Sequence, residues 1–154
     1  MKATAQPVPG PTTVGQSDAS KLNVSTAKAA SSFTVSAPAA ANDFTATFTT
    51  PGVLQSFRAR LVTSGTGGNR IPDFVIFDAS GNGLYSIQPF TQIATQTIDY
   101  YMGVALPFQV AATNGIVLLP IPSIVVMSNW QLKSTTVLQA GDQWSGITYS
   151  LQTS

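Results

Sequence analysis

At 154 residues the chain is one domain's worth, long enough to bury roughly two-thirds of its unfolded surface around a single core. It contains no cysteine, histidine or glutamate, which excludes disulfides, thiolate metal sites and Ser–His or Cys–His nucleophile pairs. Only 8% of residues are charged, against about 25% in ordinary domains, and the net charge is +1, so the surface is mostly hydroxyl and amide and offers nucleic acid no basic face.

No run of 18 apolar residues occurs, and Met1-Lys2 leads into Ala-Thr-Ala-Gln-Pro, so neither a membrane span nor a signal peptide is expected. Residues 1–42 are rich in Ala, Ser, Thr and Pro, with Phe33 their only aromatic. A segment of this composition buries too little apolar surface to offset its own ordering entropy, and reads as a flexible or partner-ordered N-terminal arm. Phe33 and Val35 in SSFTVSA are its strand-like anchor onto a neighbour. Asp18 to Ala30 has room for a helical turn or two, without an apolar stripe to support it.

The body, residues 43–154, begins with period-two alternation. Phe44, Ala46 and Phe48 face one way, and Thr45, Thr47 and Thr49 the other. After Pro51-Gly52 the alternation sets Val53, Gln55, Phe57, Ala59 and Leu61 against Leu54, Ser56, Arg58, Arg60 and Val62, placing both arginines on the face opposite Phe57. Such a pair is more often a solvated or ion-paired sheet face than a ligand clamp. The glycine-rich loop Ser64 to Arg70 lacks the Gly-Lys-Ser/Thr ending and the following helix of a phosphate-binding loop. Phe74 to Phe77 is continuously apolar, as in a strand covered on both sides. Asp78 to Gly83 resembles the start of a calcium loop, but Pro89 stands where its last carboxylate is needed, and a hairpin turn on Asn82-Gly83 explains the same residues.

Leu84 to Ile87 and Ile93 to Val104 form two more strands, and Tyr100-Tyr101 puts one ring on each face. A turn is expected at Asn114-Gly115, and the prolines at 120 and 122 mark a strand end or edge. Ile124, Val126, Trp130 and Leu132 share one parity in a strand from Ser123 to Lys133, and a last strand follows from Trp144 through Ile147, Tyr149 and Leu151. About eight antiparallel strands without a helical stripe predict an all-β fold, a single β-sandwich of jelly-roll type.

The combination FxxxFTTPG, LQSFRARLVTSGTGGNRIPDFVIFDASGNGLYSI and VLQAGDQWSGITYSL resembles small virion proteins of tailed bacteriophages. The likeness spans Phe44 to Leu151, and its most specific pieces are RLVTSGTGGNR at 60–70 and LQAGDQWSG at 138–146. It implies a capsid decoration or cement protein, made in the host cytoplasm and bound to the major capsid protein on the virion's exterior as a trimer. It implies no catalytic residue, cofactor or metal. Phe33, Val35, Thr45, Thr47, Thr49, Arg58 and Arg60 are the candidate contacts. The alternative is a glycan- or receptor-binding module of a tail or fibre, using Tyr100, Tyr101, Trp130 or Trp144 as an aromatic platform. An enzyme would need two aspartates in one pocket or a Ser–Lys pair, and no motif supports either.

Overall fold

The computed structural model describes residues 30–111 and 115–153. They form β1 (Ala30–Val35), β2 (Thr45–Thr47), β3 (Gly52–Val62), β4 (Phe74–Phe77), β5 (Gly83–Ile87), β6 (Thr97–Gly103), β7 (Gln109–Ala111), β8 (Ile116–Pro120), β9 (Ile124–Val126), β10 (Gln131–Ser134) and β11 (Gln143–Gln152). The protein is all-β, with two sheets packed face to face. The larger has the order β1-β11-β3-β6-β8-β7, with β9 beside the start of β3, and the smaller has the order β2-β10-β4-β5.

Four pairs are nested along the chain: β1 with β11, β2 with β10, β3 with β6 and β4 with β5, all antiparallel. A ribbon of such pairs folded over itself puts alternate pairs in opposite sheets, which is the arrangement found. β7, β8 and β9 are additional to this ribbon. One contact departs from the antiparallel expectation, because β8 lies between β6 and β7 and runs parallel to β6.

Alternation selects the buried face, and on the two longest strands it fails only at bulges. On β3 the inward residues are Leu54, Phe57, Ala59 and Leu61 rather than Val53 and Gln55 with Phe57. The register steps from Ser56↔Ser150 to Leu54↔Leu151, so Gln55 is an extra residue that flips the strand's parity. On β11 the step from Ser145↔Arg60 to Thr148↔Arg58 is taken at Gly146, whose φ of 57° favours glycine, so Trp144 and Ile147 both point inward. Between the sheets, Phe74 lies 5.3 Å from Phe57, 5.5 Å from Tyr100 and 5.7 Å from Trp144, all edge-on. Such contacts add about 0.5–1.5 kcal/mol per pair to the burial of the rings.

Other boundaries shift for local reasons. The strand expected from Ser123 to Lys133 is two strands in different sheets, because Asn129 takes a φ of 67° and the chain crosses the sandwich there. Thr95, with a φ of 60°, delays the strand expected from Ile93 until Thr97. The β4–β5 hairpin is present, but its left-handed residue is Gly81, with Asp78 accepting from the amides of Ser80 and Asn82. Val75 and Phe77 of β4 are only partly covered, so the two-sided burial expected of that run is one-sided. The expected division at residue 42 does not coincide with a break in the fold: β1 is hydrogen-bonded along β11, and the Ala41 amide and the Pro38 carbonyl bond to Asp142 and Gln143. The helical turn expected in Asp18 to Ala30 lies outside the described residues except for Ala30, which begins β1, and Asn114 also lies outside them.

Candidate functional site

The outer face of the larger sheet is open. One cross-strand row reads Thr34, Thr148, Arg58, Tyr101, Leu118 and Gln109, and the next reads Ser32, Ser150, Ser56 and Gly103. At its centre Arg58 and Arg60 converge on Asp99. Arg58 Nη2 donates to Oδ1 at 3.0 Å, while Arg60 donates through Nε at 3.1 Å and Nη2 at 2.7 Å. Burial alone would raise the Asp99 carboxyl, but the hydrogen bonds and charges of Arg60 and Arg58 outweigh it and lower its pKa. The hydrogen bond and charge of Asp99 raise Arg60 in turn. Arg58 also lies over the Tyr101 ring, 5.2 Å from its centroid. Two guanidinium groups on one carboxylate leave one net positive charge in a face otherwise lined by neutral groups.

The remaining candidates lie elsewhere. Thr45 and Thr47 are exposed on β2, an edge strand of the smaller sheet, and Thr49 is exposed in the bend after it. They face away from the arginines, on the opposite side of the sandwich. Phe33 and Val35 are half-buried against their own body, with the Phe33 ring stacked on Tyr149 at 4.9 Å and 13°. That ring is already covered within the chain.

Sequence reasoning missed the most ordered polar group. Arg70 and Asp142, both fully buried, form a two-pronged ion pair, Nε to Oδ2 at 2.8 Å and Nη2 to Oδ1 at 2.9 Å. Asp142 also accepts from the amides of Ser64 and Gln139 and from the Ser64 hydroxyl, and Arg70 Nη1 donates to the Gly68 carbonyl at 2.6 Å. Burial would raise the Asp142 carboxyl, but these donors hold it far below the usual carboxylate range. Next to the pair, the buried Gln92 exchanges backbone hydrogen bonds with Arg70 and accepts from the Tyr100 hydroxyl. The glycine-rich loop is therefore clasped to the turn before β11, which joins the two motifs RLVTSGTGGNR and LQAGDQWSG. No ionisable spacing in the sequence announces this contact between residues 72 positions apart.

Of the possible aromatic platform, Tyr100 and Trp144 are fully buried and Trp130 is partly buried against the core, which leaves Tyr101 on the outer face. Among the described residues no group of three or more His, Cys, Asp or Glu side chains is placed to hold a metal ion, and no helix is long and apolar enough to cross a membrane. No protein-family model, no curated protein and no solved structure matches the chain.

Proposed function

We propose that this is a structural virion protein that adheres to the outside of a phage capsid as an oligomer, a trimer, and stabilises the shell as a decoration or cement protein. The role is adhesive rather than catalytic. The observation that carries it is the open outer face of the larger sheet, lined by small hydroxyls with one arginine-rich centre. Six strands about 4.8 Å apart and about 23 Å long on average make a face on the order of 700 Å2, close to one partner's share of a standard interface. Hydroxyls lose less hydration on burial than charged groups do, and copies around a symmetry axis multiply the contact. The phage assignment rests on the likeness of RLVTSGTGGNR and LQAGDQWSG to virion proteins, and the nested pairing of strands supports the jelly-roll reading.

The test is co-sedimentation of the protein with phage heads that lack it, together with its mass in solution by light scattering. A trimer that pellets with heads, raises their melting temperature, and does so less in an Arg60→Glu variant is the expected result. A monomer that stays in the supernatant overturns the reading. Binding to a glycan array through Tyr101, with no binding to heads, would establish the tail or fibre alternative instead.

A further inference from the structure

The outer face of the larger sheet carries its charge in one place. Arg58, Arg60 and Asp99 sit on the neighbouring strands β3 and β6, and the other charged side chains among the described residues lie elsewhere. Arg70 and Asp142 are buried against each other, while Asp43, Asp73, Asp78 and Lys133 belong to the smaller sheet and its ends. Within the cluster the acid is the covered group, its side chain 13% exposed against 37% for Arg58 and 43% for Arg60. A partner arriving at this face therefore meets two guanidinium groups before the carboxylate that orients them.

Each guanidinium group carries five N–H donors. Arg58 gives one and Arg60 two to Asp99, and neither group has another hydrogen-bond acceptor among the described residues. Arg58 is the less used of the two, because its Nε is covered without a partner. The remaining donors belong to groups already held in place, Arg60 by its two-pronged bond to Asp99 and Arg58 between Asp99 and the Tyr101 ring. Groups held in advance lose less rotamer entropy when they bind.

Planar, side-by-side donors match a carboxylate or a phosphate, and charge chooses between them. The cluster has one net positive charge, so a single carboxylate brings it to neutrality. A phosphate group, close to dianionic at neutral pH, would leave excess negative charge beside Asp99. Ser145, Thr148, Ile116 and Leu118, next in the same cross-strand rows, are uncharged and supply no second cation for such a dianion.

We propose that Arg58 and Arg60 form a seat for one carboxylate of a partner protein, an aspartate or glutamate side chain at the centre of the contact. The proposal rests on the adhesive reading of this face for its partner, but the chemistry of the seat is testable without that partner.

The first measurement titrates the full 15N-labelled chain with a tetraglutamate peptide, followed through its arginine Nε–H and backbone signals. Saturable shifts centred on Arg58, Arg60 and Tyr101 are expected. Affinity should fall at least about tenfold when Arg58→Gln and Arg60→Gln are combined, and by less in Arg60→Lys, which keeps the charge and loses the fork. The melting transition of each variant checks that it is folded. Equal shifts with tetraglutamine, shifts centred on Lys133, tighter binding of inorganic phosphate or of an oligogalacturonate of equal charge, or unchanged affinity in the double variant each overturns the proposal. The second measurement repeats the co-sedimentation with heads whose carboxyl groups have been amidated with carbodiimide and glycinamide. Binding of the native chain should fall at least about tenfold, and binding of the double variant should fall little further. Equal binding before and after amidation, or an equal fall in the double variant, overturns the seat. A native chain that titrates the peptide but binds no heads upholds the seat and overturns the capsid reading.

Discussion

Arg70 and Asp142 show how one residue can hold a distant loop. Taken together the pair need not exceed a well-packed apolar pair in stability, because two charges lose their hydration on burial. Breaking it is a different matter, since either residue alone leaves an unpaired buried charge. Asp142→Asn should cost about 3–5 kcal/mol, a fall in melting temperature of about 10 °C or more for a domain of this size. Arg70→Met with Asp142→Leu should cost clearly less than the single change, and calorimetry of the three proteins checks both statements. Gly115 occupies a position that glycine alone fills without strain. It takes a φ of 68°, and an added Cβ would stand 2.6 Å from the Thr97 carbonyl oxygen. Gly115→Ala should therefore destabilise the protein by more than about 1 kcal/mol in urea unfolding, through strain and that clash together.

At the scale of elements, β1 tests where the body begins. Composition places residues 30–42 with the arm, since they hold little apolar surface, yet β1 completes the larger sheet and covers Tyr149 with Phe33. Deletion through Ala29 should leave the cooperative unfolding transition in place, with a shift of a few degrees at most. Deletion through Val35 uncovers the Tyr149 ring and opens the edge of β11 from Ile147 to Gln152, so it should lower the transition further and promote association through that edge. Thermal unfolding and light scattering on the two truncations distinguish these outcomes. The elements between Asp43 and Ile87 were legible as strands because each is bounded by a turn signal, although the bulge at Gln55 and the one-sided cover of β4 were not. Those from Ile93 onward were less so, since a left-handed Thr95 or Asn129 interrupts a pattern without leaving a glycine or proline to mark it.

For the molecule as a whole, the absence of histidine and glutamate means that no side chain has an ordinary pKa between about 4 and 10. Stability should then be nearly flat from about pH 5 to 9. Asp142 and Asp99 have pKa values lowered by folding, so their contribution is complete above about pH 4 and is lost as pH falls through the folded values. Tyr100 is raised far above its ordinary value by burial, so its contribution is complete below about pH 10 and is lost as pH rises beyond that. A urea-midpoint series across pH should show this plateau with a fall on each side. A step near pH 6 to 7 would contradict it.

Composition and period-two alternation by themselves determined the fold class, the inward aromatics and the failure of the phosphate and calcium motifs, because strand faces and turn chemistry are local properties. The candidate contacts were legible only as outward residues. Their separation was not, since Thr45 and Arg58 lie on opposite sides of a sandwich whose layering depends on which distant strands pair. Only the tertiary structure decided that Gln55 and Gly146 bulge and that β8 runs parallel to β6. It also decided that β1 joins the body and that Arg70 meets Asp142. In each case the deciding interaction lies between residues far apart in the chain, where no local pattern carries the information.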